Sequence, residues 1–156
     1  MHFRNQRERK SLNMLITHEN RDLIKTQHIH DFGWIEFYYK NMDNIAVMNL
    51  EYPGLRLPAP IIFKNVFGYT MVGSDPWGPS DRVSCMFNAE DHNEYDFGLK
   101  ELLVNTKIKY PHSKLNCDVT PLLIVFEFIS GNYLVISCES VELNLDEDIL
   151  GRWWKK

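Results

Sequence analysis

The stretch from Pro121 to Leu145, PLLIVFEFISGNYLVISCESVELNL, constrains this chain more than any other. An apolar run broken only by Glu127 meets Gly131-Asn132, and a second apolar run follows. A Gly-Asn pair between two such runs is a strong signal for a β-hairpin with a two-residue turn. Each run is far too short to cross a bilayer. Leu134, Ile136 and Cys138 share one parity, whereas Val141, Leu143 and Leu145 share the other. Because strand side chains alternate between faces, this change of phase near Glu139-Ser140 predicts a bulge, or a strand that moves between two sheets.

The same grammar recurs upstream. Trp34-Ile35-Glu36-Phe37-Tyr38-Tyr39 and Ile45-Ala46-Val47-Met48-Asn49-Leu50 flank the turn-forming Lys40 to Asn44, which predicts a hairpin with a loop of about four or five residues. Tyr52 to Pro60 holds three prolines and reads as loop. Ile61 to Val72 reads as a long strand, bent or bulged at Gly68. The turn-rich Gly73–Asp81 follows, and then a short strand over Val83–Phe87. Met14–Thr26 fits either a short helix or an edge strand, and Leu99, Leu102 and Leu103 suit a short helix over 97–105. The expected fold is mainly β, an antiparallel β-sandwich or half-open barrel of about six strands with one or two short helices.

A chain of 156 residues with 44% apolar and 13% aromatic content is long and apolar enough for one domain with its own core. The expected organisation is a polar, poorly ordered leader over 1–13 and one β-rich domain over 14–156, with Met14 as an alternative initiation site. Charge is uneven. The whole chain has 17 Lys/Arg and 21 Asp/Glu, a net −4. Residues 1–12 hold four of the basic residues and one of the acidic, a net +3, which leaves 13 basic and 20 acidic residues, a net −7. An acidic body disfavours nucleic acid, whose affinity comes from clustered Lys and Arg. No apolar segment follows the basic N-terminus as a secretory signal would require. Cys85, Cys117 and Cys138 are odd in number and form no CxxC pair, so reduced thiols in a cytoplasmic protein are expected.

Two constellations could carry chemistry. In TQHIHDFGWIE, His28 and His30 point to one side of an extended chain and could grip a metal. Glu36 shares their parity but lies about 20 Å from His30 along a straight strand, so it joins only if the chain bends at Gly33. Two His one apart and a later Glu are reminiscent of the first cupin motif. Here the gap to Glu36 is longer, the upstream glycine is missing, and the second motif has no counterpart. A small metal-binding or metal-dependent enzyme of cupin-like barrel type is therefore the alternative reading, against two half-exposed histidines at the mouth of a strand. The acidic segment with Glu90, Asp91, Glu94 and Asp96 lacks the ligand ladder and glycine of an EF-hand and reads as solvated. No Gly-x-Ser-x-Gly elbow, phosphate loop or dinucleotide fingerprint is present, and no catalytic residue or cofactor is assigned.

The Gly73–Asp81 loop places Trp77 between Pro76 and Gly78, with Pro79 adding stiffness. A stiff loop presenting a Trp costs little entropy to order on a partner. In the competing reading Trp77 folds back as a lid, while Asp75 and Asp81 tie the loop down by bonding backbone amides.

The order of these features resembles that of small bacterial β-rich proteins of the toxin-immunity type. The residues that carry the likeness are His30-Asp31, the following apolar hairpin, Ile62 to Tyr69 (IFKNVFGY), the Trp77-Gly78-Pro79 loop, and Ser137 to Leu143 (SCESVEL). It spans roughly 28–145. It implies a non-enzymatic protein-binding module that neutralises a cognate toxin. An acidic body would suit a basic toxin through complementary potential. The expected contact residues are Trp77, Asp75, Asp81, Glu90, Asp91, Glu94 and Asp96. The expected partner is another protein, with no nucleic acid and no membrane, and the oligomeric state stays open.

Overall fold

The computed structural model describes residues 11–72, 81–89, 120–146 and 149. These form one antiparallel sheet of seven strands, β1 (Ser11–Thr17), β2 (Gly33–Lys40), β3 (Ile45–Glu51), β4 (Pro58–Val72), β5 (Val83–Asn88), β6 (Leu122–Phe128) and β7 (Tyr133–Asp146), with a 3₁₀ segment over His18–Thr26. The protein is mainly β, as its sequence implies. The order across the sheet is β2-β3-β4-β7-β6-β5, with β1 also on β7.

The backbone of the sheet is the long β4–β7 ribbon, paired from Ile61↔Leu143 to Val72↔Tyr133. On its other edge, β7 pairs first with β6 (Glu127↔Tyr133 to Leu122↔Cys138) and then with β1 (Thr17↔Ser140 to Ser11↔Asp146). The change of partner falls at Glu139, where the sequence changes phase. Cys138 and Val141 are nevertheless both fully buried in the same core. β4 turns over in step: Phe63 and Val66 both face that core, and Asn65 between them has φ +51°. Asn is among the few residues that tolerate this left-handed conformation. A second irregularity, between Val66 and Gly68, confirms the bend expected at Gly68.

The sheet curls until its ends meet. Gly33 of β2 bridges Arg82 before β5. Trp34 N–H donates to the Asp81 carbonyl at 2.9 Å and Val83 N–H to the Phe32 carbonyl at 2.9 Å. Beyond Trp34, β2 has no described partner except β3. Among the described residues the result is a half-open barrel, closed at the start of β2. Phe63, Phe126 and Phe128 fill its interior with Trp34 and Met48, and Phe63 meets Phe126 edge-on at 5.9 Å. A second cluster, Phe87, Ala89, Val125 and Val135, lies on the opposite face of β5, β6 and the first half of β7.

Local chemistry adjusts several expected boundaries. Met14–Thr26 contains both candidate elements, the end of β1 and the 3₁₀ segment. Thr17 N–H donates to Asn20 Oδ1 at 2.6 Å, which satisfies a donor that the start of the segment leaves over. β1 begins at Ser11, so the strand takes in part of the expected leader. β4 begins at Pro58, inside the expected Tyr52–Pro60 loop, and pairs there with β3. β7 joins only from Ile61, so on that side Pro58 and Pro60 stand at a sheet edge where a missing N–H breaks no ladder. The β2–β3 loop spans residues 41–44, as expected. The β6–β7 turn is longer than two residues: Phe128 N–H bonds the Asn132 carbonyl at 3.0 Å, leaving three residues between. Gly131, at φ +89°, takes the left-handed position of a three-residue hairpin loop. The possible helix over 97–105 lies outside the described residues.

Candidate protein-contact surface

Of the residues expected to meet a partner, Trp77, Asp75, Glu90, Asp91, Glu94 and Asp96 lie outside the described residues. Asp81 is described, and its place corrects the expectation. It is fully buried. Its Oδ2 accepts from the Ser130 hydroxyl at 2.7 Å, and its Oδ1 accepts from the Arg82 amide at 3.0 Å and the Ser130 amide at 3.3 Å. Asp81 thus ties the approach to β5 onto the β6–β7 turn and has no surface to offer. The competing reading of this loop, a carboxylate bonding backbone amides, describes it. Ser130 Oγ also accepts from Asn132 Nδ2 at 2.8 Å, so a buried asparagine completes the knot.

His28 and His30 are exposed, before the first residue of β2. His30 Nδ1 lies 3.0 Å from Asp31 Oδ2, a local pair. Glu36 is held elsewhere, its Oε1 accepting from Asn49 Nδ2 at 3.0 Å. Among the described residues no group of three or more His, Cys, Asp or Glu side chains could hold a metal ion. The Asp31 backbone turns at φ +70°, and its N–H bonds the Val83 carbonyl at 2.8 Å. That bond spends the His28–Asp31 segment on closing the barrel.

Cys138 is fully buried, and burial, then the charge of Glu139, raises its thiol well above the ordinary range. Cys85 donates to Glu127 Oε2 at 3.3 Å. Burial, then the Glu127 carboxylate, pushes its thiol from the ordinary 9.0 up to about 12. A thiol held neutral is a poor nucleophile.

The described residue group best shaped for a partner is one that sequence reasoning passed over as plain loop, between β3 and β4. Tyr52, Pro53, Gly54 and Leu55 form a type II turn: Leu55 N–H donates to the Tyr52 carbonyl at 3.1 Å, Pro53 sits at the second position, and Gly54 at the third has φ +71°. Tyr52 N–H bonds the Leu57 carbonyl at 3.1 Å and closes the loop. The base is anchored, since Tyr52 is buried, its ring lies 5.0 Å from that of Phe32, and its hydroxyl accepts from the Asp146 amide at 2.6 Å. Burial raises the Tyr52 phenol above its usual value, partly offset by that hydrogen bond. From this base Leu55 and Leu57 stand 43% and 44% exposed on either side of Arg56. Two leucines inside a Pro-Gly turn were the available sequence signal, because a flexible solvent loop has no need of them.

No helix among the described residues is long and apolar enough to cross a membrane. Comparison of the chain with protein-family models, with curated proteins and with solved structures found no match.

Proposed function

We propose that this chain is a non-enzymatic protein-binding module, of the toxin-neutralising kind that its sequence pattern resembles. The observation that carries the reading is the β3–β4 loop, a pinned type II turn with Leu55 and Leu57 facing solvent. Apolar side chains on a loop already held in one conformation lose little entropy on binding, so more of their burial energy appears as affinity. The net −7 of the chain after residue 12 supports a basic partner, drawn in by complementary potential.

The test begins with affinity capture from the parent cell and identification of the retained protein, followed by titration of the two purified proteins. The paired change Leu55→Ser with Leu57→Ser is expected to weaken binding about tenfold or more, with the far-UV spectrum unchanged. Raising salt from 50 to 500 mM is expected to slow association. An identified partner that binds both forms equally removes the loop from the contact. A retained protein that the chain turns over as a substrate removes the whole reading.

A further inference from the structure

Between its two leucines the β3–β4 loop carries a cation, Arg56. Gly54, Leu55, Arg56, Leu57 and Pro58 are all exposed. The bonds that pin the loop engage Tyr52, Leu55 and Leu57 and leave Arg56 out. Pro58 fixes its own φ and drives Leu57, the residue before it, toward extended backbone. From Pro58 the chain continues as β4. With a type II turn fixed behind it and a strand ahead of it, Arg56 stands on backbone that is ordered before any partner arrives.

An exposed arginine between two apolar residues calls for a particular counterpart. Its guanidinium presents donors in a fixed fork that matches a carboxylate. Its methylenes gain from apolar walls. A narrow pocket with apolar walls and a carboxylate at its floor meets both demands, and trypsin-type serine proteases select their substrates with such a pocket. We propose that the β3–β4 loop enters that pocket with Arg56, so that the chain inhibits serine proteases that cleave after basic residues. This inference rests on the reading of the loop as a contact surface and gives its partner a chemical class. The bond offered to the protease is Arg56–Leu57. Hydrolysis would add water across it and leave an Arg56 carboxylate and a Leu57 amine. Tyr52 holds both sides of that bond: its carbonyl accepts from the Leu55 N–H and its own N–H donates to the Leu57 carbonyl, each at 3.1 Å. Tyr52 is itself fixed by the Phe32 ring and the Asp146 amide. Two severed ends held on one residue stay at high effective concentration, which favours resealing over release. The loop therefore occupies the protease without being consumed.

The test is inhibition of trypsin by the full chain, read with a small chromogenic arginine amide. An inhibition constant of about 10 μM or tighter is expected. Arg56→Gln should weaken it at least about thirtyfold, because the pocket carboxylate is then buried without its cation. Arg56→Lys should keep most of the inhibition, since it still brings a cation to the pocket floor. Arg56→Leu should lose trypsin and gain chymotrypsin, whose pocket is an apolar slot, and that gain also shows the variant to be folded. Trypsin unaffected by the chain overturns the proposal, as does inhibition that Arg56→Gln leaves intact. Inhibition that fades while mass spectrometry finds the chain cut after Arg56 marks a substrate and overturns it too. Uninhibited trypsin beside a captured partner that needs Leu55 and Leu57 removes this inference alone and leaves the loop as the contact surface.

Discussion

β6 and the first half of β7 are buried on both faces, whereas β2 gives one face to the core and the other to solvent. In β6, Leu122, Ile124, Phe126 and Phe128 fill the barrel interior, while Val125 joins Val135 and Phe87 in the second cluster. In β2, Trp34, Phe37 and Tyr39 face inward, and Glu36, Tyr38 and Lys40 stay exposed. The chemistry of the two segments follows. A strand covered on both sides gains from apolar residues at every position, so it reads as an unbroken run. A strand covered on one side keeps the alternation, and its outward residues are free to serve something other than folding.

The comparison can be broken by substitution. The largest effect is expected for Phe126→Ala, which removes a fully buried ring packed edge-on against Phe63 and should cost about 3–5 kcal/mol in a urea titration. Next comes a matched pair of outward-facing positions. Val135→Ala, in the second cluster, should cost about 1.5–3 kcal/mol, while Tyr38→Ala on β2 should stay within about 0.5 kcal/mol. Equal costs would mean that the outer face of β5, β6 and β7 is no second core. Asp81→Ala removes the knot where the barrel ends meet. It strands the Ser130 hydroxyl and two amides, and should cost about 1–3 kcal/mol. The smallest effect sharpens the contrast by pH. The Cys85 thiol, on the outer face of β5, stays protonated in the folded state up to about pH 12, while the unfolded thiol loses its proton near the ordinary 9.0. Between those values the folded state binds more protons, so stability falls as pH rises. The urea midpoint should decline from pH 9 upward, and Cys85→Ala should make the decline shallower. Cys138 and the raised phenols of Tyr39 and Tyr52 act in the same direction, so some slope remains.

The hairpins of this barrel were legible because each is a local matter of alternation and turn residues. Lys40 to Asn44 and Gly131-Asn132 mark their turns, although the second turn proved a residue longer because Gly131 serves as its left-handed member. The phase change at Glu139-Ser140 was also legible, but its meaning was not. Its counterpart is Asn65, 74 residues earlier, whose Nδ2 donates to Glu139 Oε2 at 2.8 Å. Asn65 Oδ1 accepts from Asn44 Nδ2 at 2.9 Å, and Asn44 Oδ1 from the Tyr39 hydroxyl at 2.7 Å. This chain of polar groups stitches β2, β4 and β7 together at the point where two strands turn over, and nothing in the neighbourhood of any one of its members announces the others. The candidate site was less legible than the fold. Asp81 looked like a surface carboxylate because the residues around it are those of a loop, and its burial depends on Ser130, 49 residues away. Leu55 and Leu57 looked like filler because a loop's rigidity is invisible until Tyr52 is seen pinned by Phe32 and Asp146.

Sequence by itself determined that this chain forms paired extended segments around an apolar interior, because alternation and turn preference act over a few residues and leave their mark in order along the chain. The tertiary structure alone decided that the sheet closes at Gly33 and Arg82. Closure is a balance between the twist of seven strands and a handful of bonds between segments some 50 residues apart, and no local pattern encodes where such a balance falls.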